Sequence, residues 1–128
     1  MKLEYGAVNA TLVMDGLNYP DDLVIDSEGT MFIAEKESLT RWPKGARNGT
    51  VLGRAQWLLS VALDSKEEHL YVTDYMTTYV MNIVRVLAGS KNATIIAAGN
   101  GIGDAPDQLY NPDDLAFDSY GNLYVSDY

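Results

Sequence analysis

Seven carboxylates recur at two matched positions. Asp21, Asp22, Asp113 and Asp114 stand just ahead of short apolar runs, and Glu35, Asp74 and Asp127 close the runs that follow. If the two runs of each copy are antiparallel strands, the loop before the first and the end of the second share one rim, which is then strongly negative. Clustered hard oxygens suit Ca²⁺ or a cationic ligand. The same residue types also have a structural use, because Asp ends strands and turns by accepting nearby backbone N–H bonds. Recurrence in every copy favours that use. No metal ligand is therefore assigned, Ca²⁺ is the one cofactor the rim would suit, and the seven residues are kept as a candidate binding rim.

Other residues offer less. His69 is the single histidine and lies in the charged turn Lys66-Glu67-Glu68-His69. A hairpin tip is a poor place for a base that must be held against a nucleophile, so no catalytic residue is assigned. The run Gly99-Asn100-Gly101-Ile102-Gly103 lacks the strand and helix context of a phosphate loop and reads as a connection. Trp42 and Trp57 each adjoin a strand at a repeat position, where buried or half-buried packing is expected rather than ligand stacking. Asn9, Asn48 and Asn92 head three Asn-X-Thr sequons at one repeat position; they would accept glycans in a secreted parent protein, although Asn suits a turn and Thr the following strand without any glycan.

Composition narrows the partners. With 18 acidic against 9 basic residues the formal charge is −9, which disfavours phosphate backbones and anionic lipid surfaces. Nucleic acid and membrane are set aside as partners. Cysteine is absent, which removes disulfides and thiolate chemistry and leaves the redox compartment open. The opening MKLEYGAVNATLVMDG has no apolar run of signal length, so the compartment is unassigned, and extracellular only if a longer parent is secreted.

The elements that must position these residues are repeats. LNYPDDLVIDSEGTMFIAEK (17–36) returns as AQWLLSVALDSKEEHLYVTDY (55–75) and LYNPDDLAFDSYGNLYVSDY (109–128). A second phrase runs in phase with it: GAVNATLV (6–13), GARNGTVL (45–52) and GSKNATII (89–96). The triplets Leu23–Ile25, Val61–Leu63 and Leu115–Phe117 read as first strands covered on both faces. Met31–Ala34, Leu70–Thr73 and Leu123–Ser126 read as second strands behind an Asp-headed turn. Leu39–Trp42 and Thr78–Leu87 supply third strands, and an Asn turn, clearest at Asn48-Gly49, delivers fourth strands over Thr50–Gly53 and Thr94–Ala97. The chain is thus all-β, and four-stranded antiparallel units of roughly 40 to 50 residues predict the blades of a β-propeller.

NYPDDLVIDSEGTMFIAE and NPDDLAFDSYGNLYVSD resemble NHL repeats: Pro, a hydrophobic strand, Asp, a Gly turn and an aromatic strand ending in an acid. RWPKGARNGTVLG is similar to the outer strands of such arrays. The pattern departs after each second strand, where Lys36–Thr40 and Tyr75–Tyr79 lack the expected Asn-His element. The resemblance implies six-bladed rings, of which this chain holds about half. Residues 1–16 are the outer strands of one blade, 17–54 and 55–108 are blades, and 109–128 are the inner strands of another. Two arrangements follow: a fragment of a longer propeller, which is favoured, or a head-to-tail dimer completing a six-bladed ring.

The function this implies is a non-enzymatic binding scaffold whose loop face recognises protein, peptide or carbohydrate. The alternative is part of a metal-dependent propeller hydrolase or lyase similar to gluconolactonases. The sequence offers no converging His and carboxylate set for that chemistry, and the expectation leans away from an enzyme.

Overall fold

Ten strands run in order: β1 (Pro20–Ile25), β2 (Met31–Glu35), β3 (Ser38–Trp42), β4 (Thr50–Arg54), β5 (Leu58–Leu63), β6 (His69–Thr77), β7 (Val80–Leu87), β8 (Ala93–Ala97), β9 (Asp114–Phe117) and β10 (Leu123–Ser126). The computed structural model describes residues 1–127 except 3, 78–79, 88–92, 98–102 and 104. Within β6 to β8 it describes the side chains of 69–74, 85 and 86. Within each sheet every strand pairs antiparallel with the next, giving sheets β1-β2-β3-β4, β5-β6-β7-β8 and β9-β10, and no helix occurs among the described residues. The first two sheets are four-stranded antiparallel units and the third is a two-stranded pair, and the fold is that of an all-β propeller segment.

The turn between first and second strands is built the same way three times. Asp26, Asp64 and Asp118 each accept a backbone N–H three residues on with the carbonyl, from Gly29, Glu67 and Gly121, while the carboxylate Oδ1 caps further N–H groups of the turn. Hydrogen bonds to Asp118, first from the Asn122 side chain, hold its carboxyl below the usual carboxylate range. The residue donating to the Asp carbonyl sits in the left-handed region each time: φ is 84° at Gly29, 57° at Glu67 and 87° at Gly121. Gly takes that conformation freely and Glu does not.

The β3–β4 turn differs from the expectation of an Asn-Gly hairpin. Its left-handed residue is Gly45 (φ 76°), behind a bond from Ala46 N to Pro43 O. Neither Asn48 nor Gly49 has positive φ. Gly49 is required for another reason, since a Cβ there would collide with the Trp42 indole. The N-terminal residues repeat this turn: Ala7 N donates to Glu4 O, Gly6 has φ 78°, and Lys2 and Thr11 form a bridge as Arg41 and Thr50 do.

The core lies between blades. Phe32, Ala34, Leu39 and Leu52 of the first sheet meet Leu58, Val61, Leu70, Val72 and Val86 of the second. Each large apolar side chain among them contributes about 1.5–3 kcal/mol on leaving water. A second cluster joins Ala62 and Leu115, flanked by Tyr71 and Phe117 in an edge-to-face contact with centroids 4.9 Å apart. Aromatic Phe32 and Tyr71 thus face the next blade, with small Ala34 and Thr73 two residues on.

One expectation needs correction. First strands covered on both faces describe β5 alone, where only Leu59 and Leu63 are partly exposed. In β1, Leu23 is 50% and Ile25 57% exposed, and in β9 Ala116 is exposed. A blade's faces are covered by its neighbours, and only the middle blade has a described neighbour on each side.

Candidate functional site

The strand ends nearest the first phrase form one mouth. Register places Pro20 opposite Glu35, Leu58 opposite Asp74 and Ser126 opposite Asp114, so the starts of β1, β5 and β9 lie beside the ends of β2, β6 and β10. The seven candidate carboxylates are at this end, but they divide by environment.

Glu35, which is buried, and Asp127, which is exposed, are both staples. Glu35 is 5% exposed; its Oε2 accepts Asn18 N at 2.7 Å and its Oε1 accepts the Thr40 hydroxyl at 2.7 Å. Asp127 accepts Tyr110 N at 2.9 Å and Asn111 N at 2.7 Å. Each ties the segment entering a blade to the end of that blade's second strand. Asp74, at the same position of the middle blade, is 9% exposed and its Oδ1 has no hydrogen-bond partner. Burial pushes its carboxyl up to about 6.

The remaining acids are Asp21, Asp22, Asp113 and Asp114, of which Asp22 is half-buried and the others exposed. Asp22 Oδ2 and Asp114 Oδ1 each lie 2.9 Å from the Ser60 hydroxyl, and Asp22 Oδ2 also accepts Val61 N at 2.9 Å. Ser60 is 2% exposed, with its own N–H donating to Thr73 Oγ1. Asp22, Ser60 and Asp114 occupy the same position in three consecutive blades, so the propeller repeat itself brings them together. One hydroxyl has one proton for two carboxylates, so Ser60 donates to one of them at a time and leaves the other with spare acceptor capacity.

Beside this cluster, Trp57 is 42% exposed and its Nε1 donates to Asp21 Oδ2 at 3.2 Å. Lys36 Nζ lies 5.1 Å from the Trp57 ring centroid and 5.7 Å from that of Tyr19, which is 73% exposed. Tyr19 holds φ 49° while both its carbonyl and that of Asn18 accept Lys36 N. Asp113 is exposed, its N–H paired to Ser126 O. Trp57 therefore departs from the expected packing role, because its neighbours are Asp21 and Lys36 rather than core. Trp42 fits that role, buried with its Nε1 donating to Thr40.

Sequence reasoning missed Ser60, Lys36 and Tyr19. The signal for Ser60 was present: it replaces Asp in a column otherwise filled by Asp22 and Asp114. Among the described residues no three His, Asp or Glu side chains converge as a cation site. His69 opens β6 at the other end of the sheet, where its Nδ1 pairs with Asp64 Oδ2 at 3.2 Å. Of the sequons, Asn9 and Asn48 are exposed in turns, and Asn92 lies outside the described residues, as does 99–102 of the glycine-rich run. No described helix is long and apolar enough to cross a membrane.

No family of known proteins matches the chain, and no curated protein matches it. Solved structures do. A protein of Thermus thermophilus described as a putative oxidoreductase (glucose dehydrogenase) is similar with a TM-score of 0.65 and 22% identity, over 90% of this chain and 39% of that one. The PQQ-bound aldose sugar dehydrogenase of Streptomyces coelicolor is similar with a TM-score of 0.53 and 17% identity, over 91% of this chain and 58% of that one. The chain spans less than two thirds of either protein. At such identities the likeness shows the fold, that of a β-propeller.

Proposed function

We propose that this chain forms part of the mouth of a β-propeller enzyme acting on a sugar or related polyhydroxy compound. The observation that carries the reading is the convergence of Asp22 and Asp114 on Ser60 beside the exposed Trp57. Adjacent carboxylate oxygens accept hydrogen bonds from neighbouring hydroxyl groups, an indole face packs against the C–H face of a sugar ring, and Lys36 supplies a donor at the edge. In this role Asp22 and Asp114 accept from and orient substrate hydroxyls, Ser60 keeps the two carboxylates in place, and Trp57 excludes water from one side of the ring. The sugar dehydrogenases that share the fold support this reading over a scaffold without activity. Assignment to NHL repeats in particular rests on the sequence phrases alone.

The Streptomyces protein binds pyrroloquinoline quinone, which carries three carboxylates. The described mouth presents Asp21, Asp22, Asp113 and Asp114 beside Lys36, a set that does not fit so anionic a group, and no step is derived through it.

Calorimetric titration of the purified chain with a panel of aldoses tests the reading. Saturable binding is expected, weakened about tenfold or more by Trp57→Ala and by Asp22→Asn with Asp114→Asn, the scale for losing hydrogen bonds to charged groups. Absence of binding across the panel, or binding unchanged by these substitutions, overturns it. A second reading, binding without turnover, is favoured by one observation: the only histidine lies at the far end of the sheet. Reduction of an artificial electron acceptor on aldose addition would exclude it.

A further inference from the structure

Away from the mouth cluster, a cavity of about 80 Å³ lies between the first and second blades, walled by Leu39, Leu58, Val72 and Val86, with Asp74 and Arg54 also lining it. Asp74 is 9% exposed, and its Oδ1 has no partner. Its two counterparts explain the geometry. Glu35 and Asp127 are satisfied by N–H groups of Asn18, Tyr110 and Asn111, in the segments entering their blades. In the middle blade the corresponding segment is Ala55-Gln56-Trp57, and no backbone N–H from it reaches Asp74 Oδ1. The cavity is the space left where that staple is not made.

We propose that this cavity is a binding site for a small organic ammonium ion of about ethylammonium size. A buried carboxylate oxygen without a donor is costly, and an N–H donor that also carries positive charge offsets the cost best. The aliphatic walls favour an alkyl group over a bare cation. A hard metal ion would need several oxygen ligands, and the aliphatic walls offer none beside the Asp74 carboxylate. Volume sets the size: a cavity of about 150 Å³ holds the six carbons of benzene, so about 80 Å³ takes roughly three heavy atoms. The formal charge of −9 also draws cations to the surface. Charged groups around the cavity are Arg54, an exposed residue that lines it, and Glu37, which lines the adjoining groove together with Arg54. Arg54 is the built-in competitor for Asp74.

The test is a thermal-shift titration of the full chain with ammonium, methylammonium, ethylammonium and butylammonium chlorides against NaCl at equal ionic strength, with ethanol as the neutral counterpart. A ligand bound only by the folded state raises the melting temperature, through a stabilisation that grows as RT ln(1 + [L]/Kd). Stabilisation should peak at methyl- or ethylammonium and fall at butylammonium. Affinity should drop about tenfold or more in Asp74→Asn and rise in Arg54→Ala. Asp74→Asn keeps the shape and removes the buried charge, so its folded state survives and the comparison is not confounded by unfolding. An equal shift with NaCl or ethanol, an unchanged response in Asp74→Asn, or no shift at all overturns the proposal and leaves the cavity to water.

Discussion

Glu67 reaches from the second blade's turn to Ser27 in the first, accepting the Ser27 N–H at 2.8 Å and its hydroxyl at 2.7 Å. To do so it holds φ 57° at a position where the other two turns have glycine. Cross-blade bonding thus works against backbone strain. Glu67→Ala keeps the strain and loses both bonds, and should cost about 1 kcal/mol, a low value because the pair is exposed. Glu67→Gly loses the same bonds but relieves the strain, so its urea midpoint should lie between that of Glu67→Ala and the natural chain.

Asp74 sets a pH dependence of definite sign. Its carboxyl is raised to about 6 in the folded state, against about 3.9 unfolded. The folded state therefore binds more protons between those values, and stability falls as pH rises through that window. The favourable contribution is complete below about pH 4 and gone above about pH 6. Partial solvation limits its size to about 1–2 kcal/mol. Chemical denaturation across this range should show the slope, and Asp74→Asn should flatten it while stabilising the protein at neutral pH.

Gly49 should resist any side chain. An added methyl would strike the buried Trp42 ring, and overpacking of this kind costs about 1–3 kcal/mol. Gly49→Ala should lower the melting temperature, and Trp42→Leu should restore part of the loss in the double variant. The Asn48 sequon is unchanged by either substitution, so a glycan effect is separable by mass.

Ser60→Ala removes the one hydroxyl between Asp22 and Asp114. The carboxylates then face each other with only backbone donors, and stability should fall by about 1–2 kcal/mol at low salt. High salt should recover part of this through screening. A loss independent of ionic strength would mean that packing, not charge, explains the position.

The repeated phrase made the blade legible because its strand runs, Asp turns and Gly positions agree at every level of local chemistry. Covering of the strand faces was not legible, since Leu23 and Ile25 are as apolar as Val61 and Leu63 and differ only in whether a neighbouring blade lies against them. The rim was partly legible. Asp22 and Asp114 could be placed at one end from antiparallel pairing, whereas the contacts of Lys36 with Tyr19 and Trp57 join different segments and need the angle between blades. Asp74 shows the sharpest limit. It has the residue type and register of a staple like Asp127, and only the path of residues 54–57 leaves its Oδ1 without a donor.

The two indoles are placed so that they report on different events. Trp42 is buried and bonded inside the first blade, while Trp57 is exposed among Asp21 and Lys36. Their emission should resolve into a blue component shielded from iodide and a red component open to it. The first component would follow unfolding and the second would follow occupancy at the mouth, so one unlabelled sample carries separate optical signals for stability and binding.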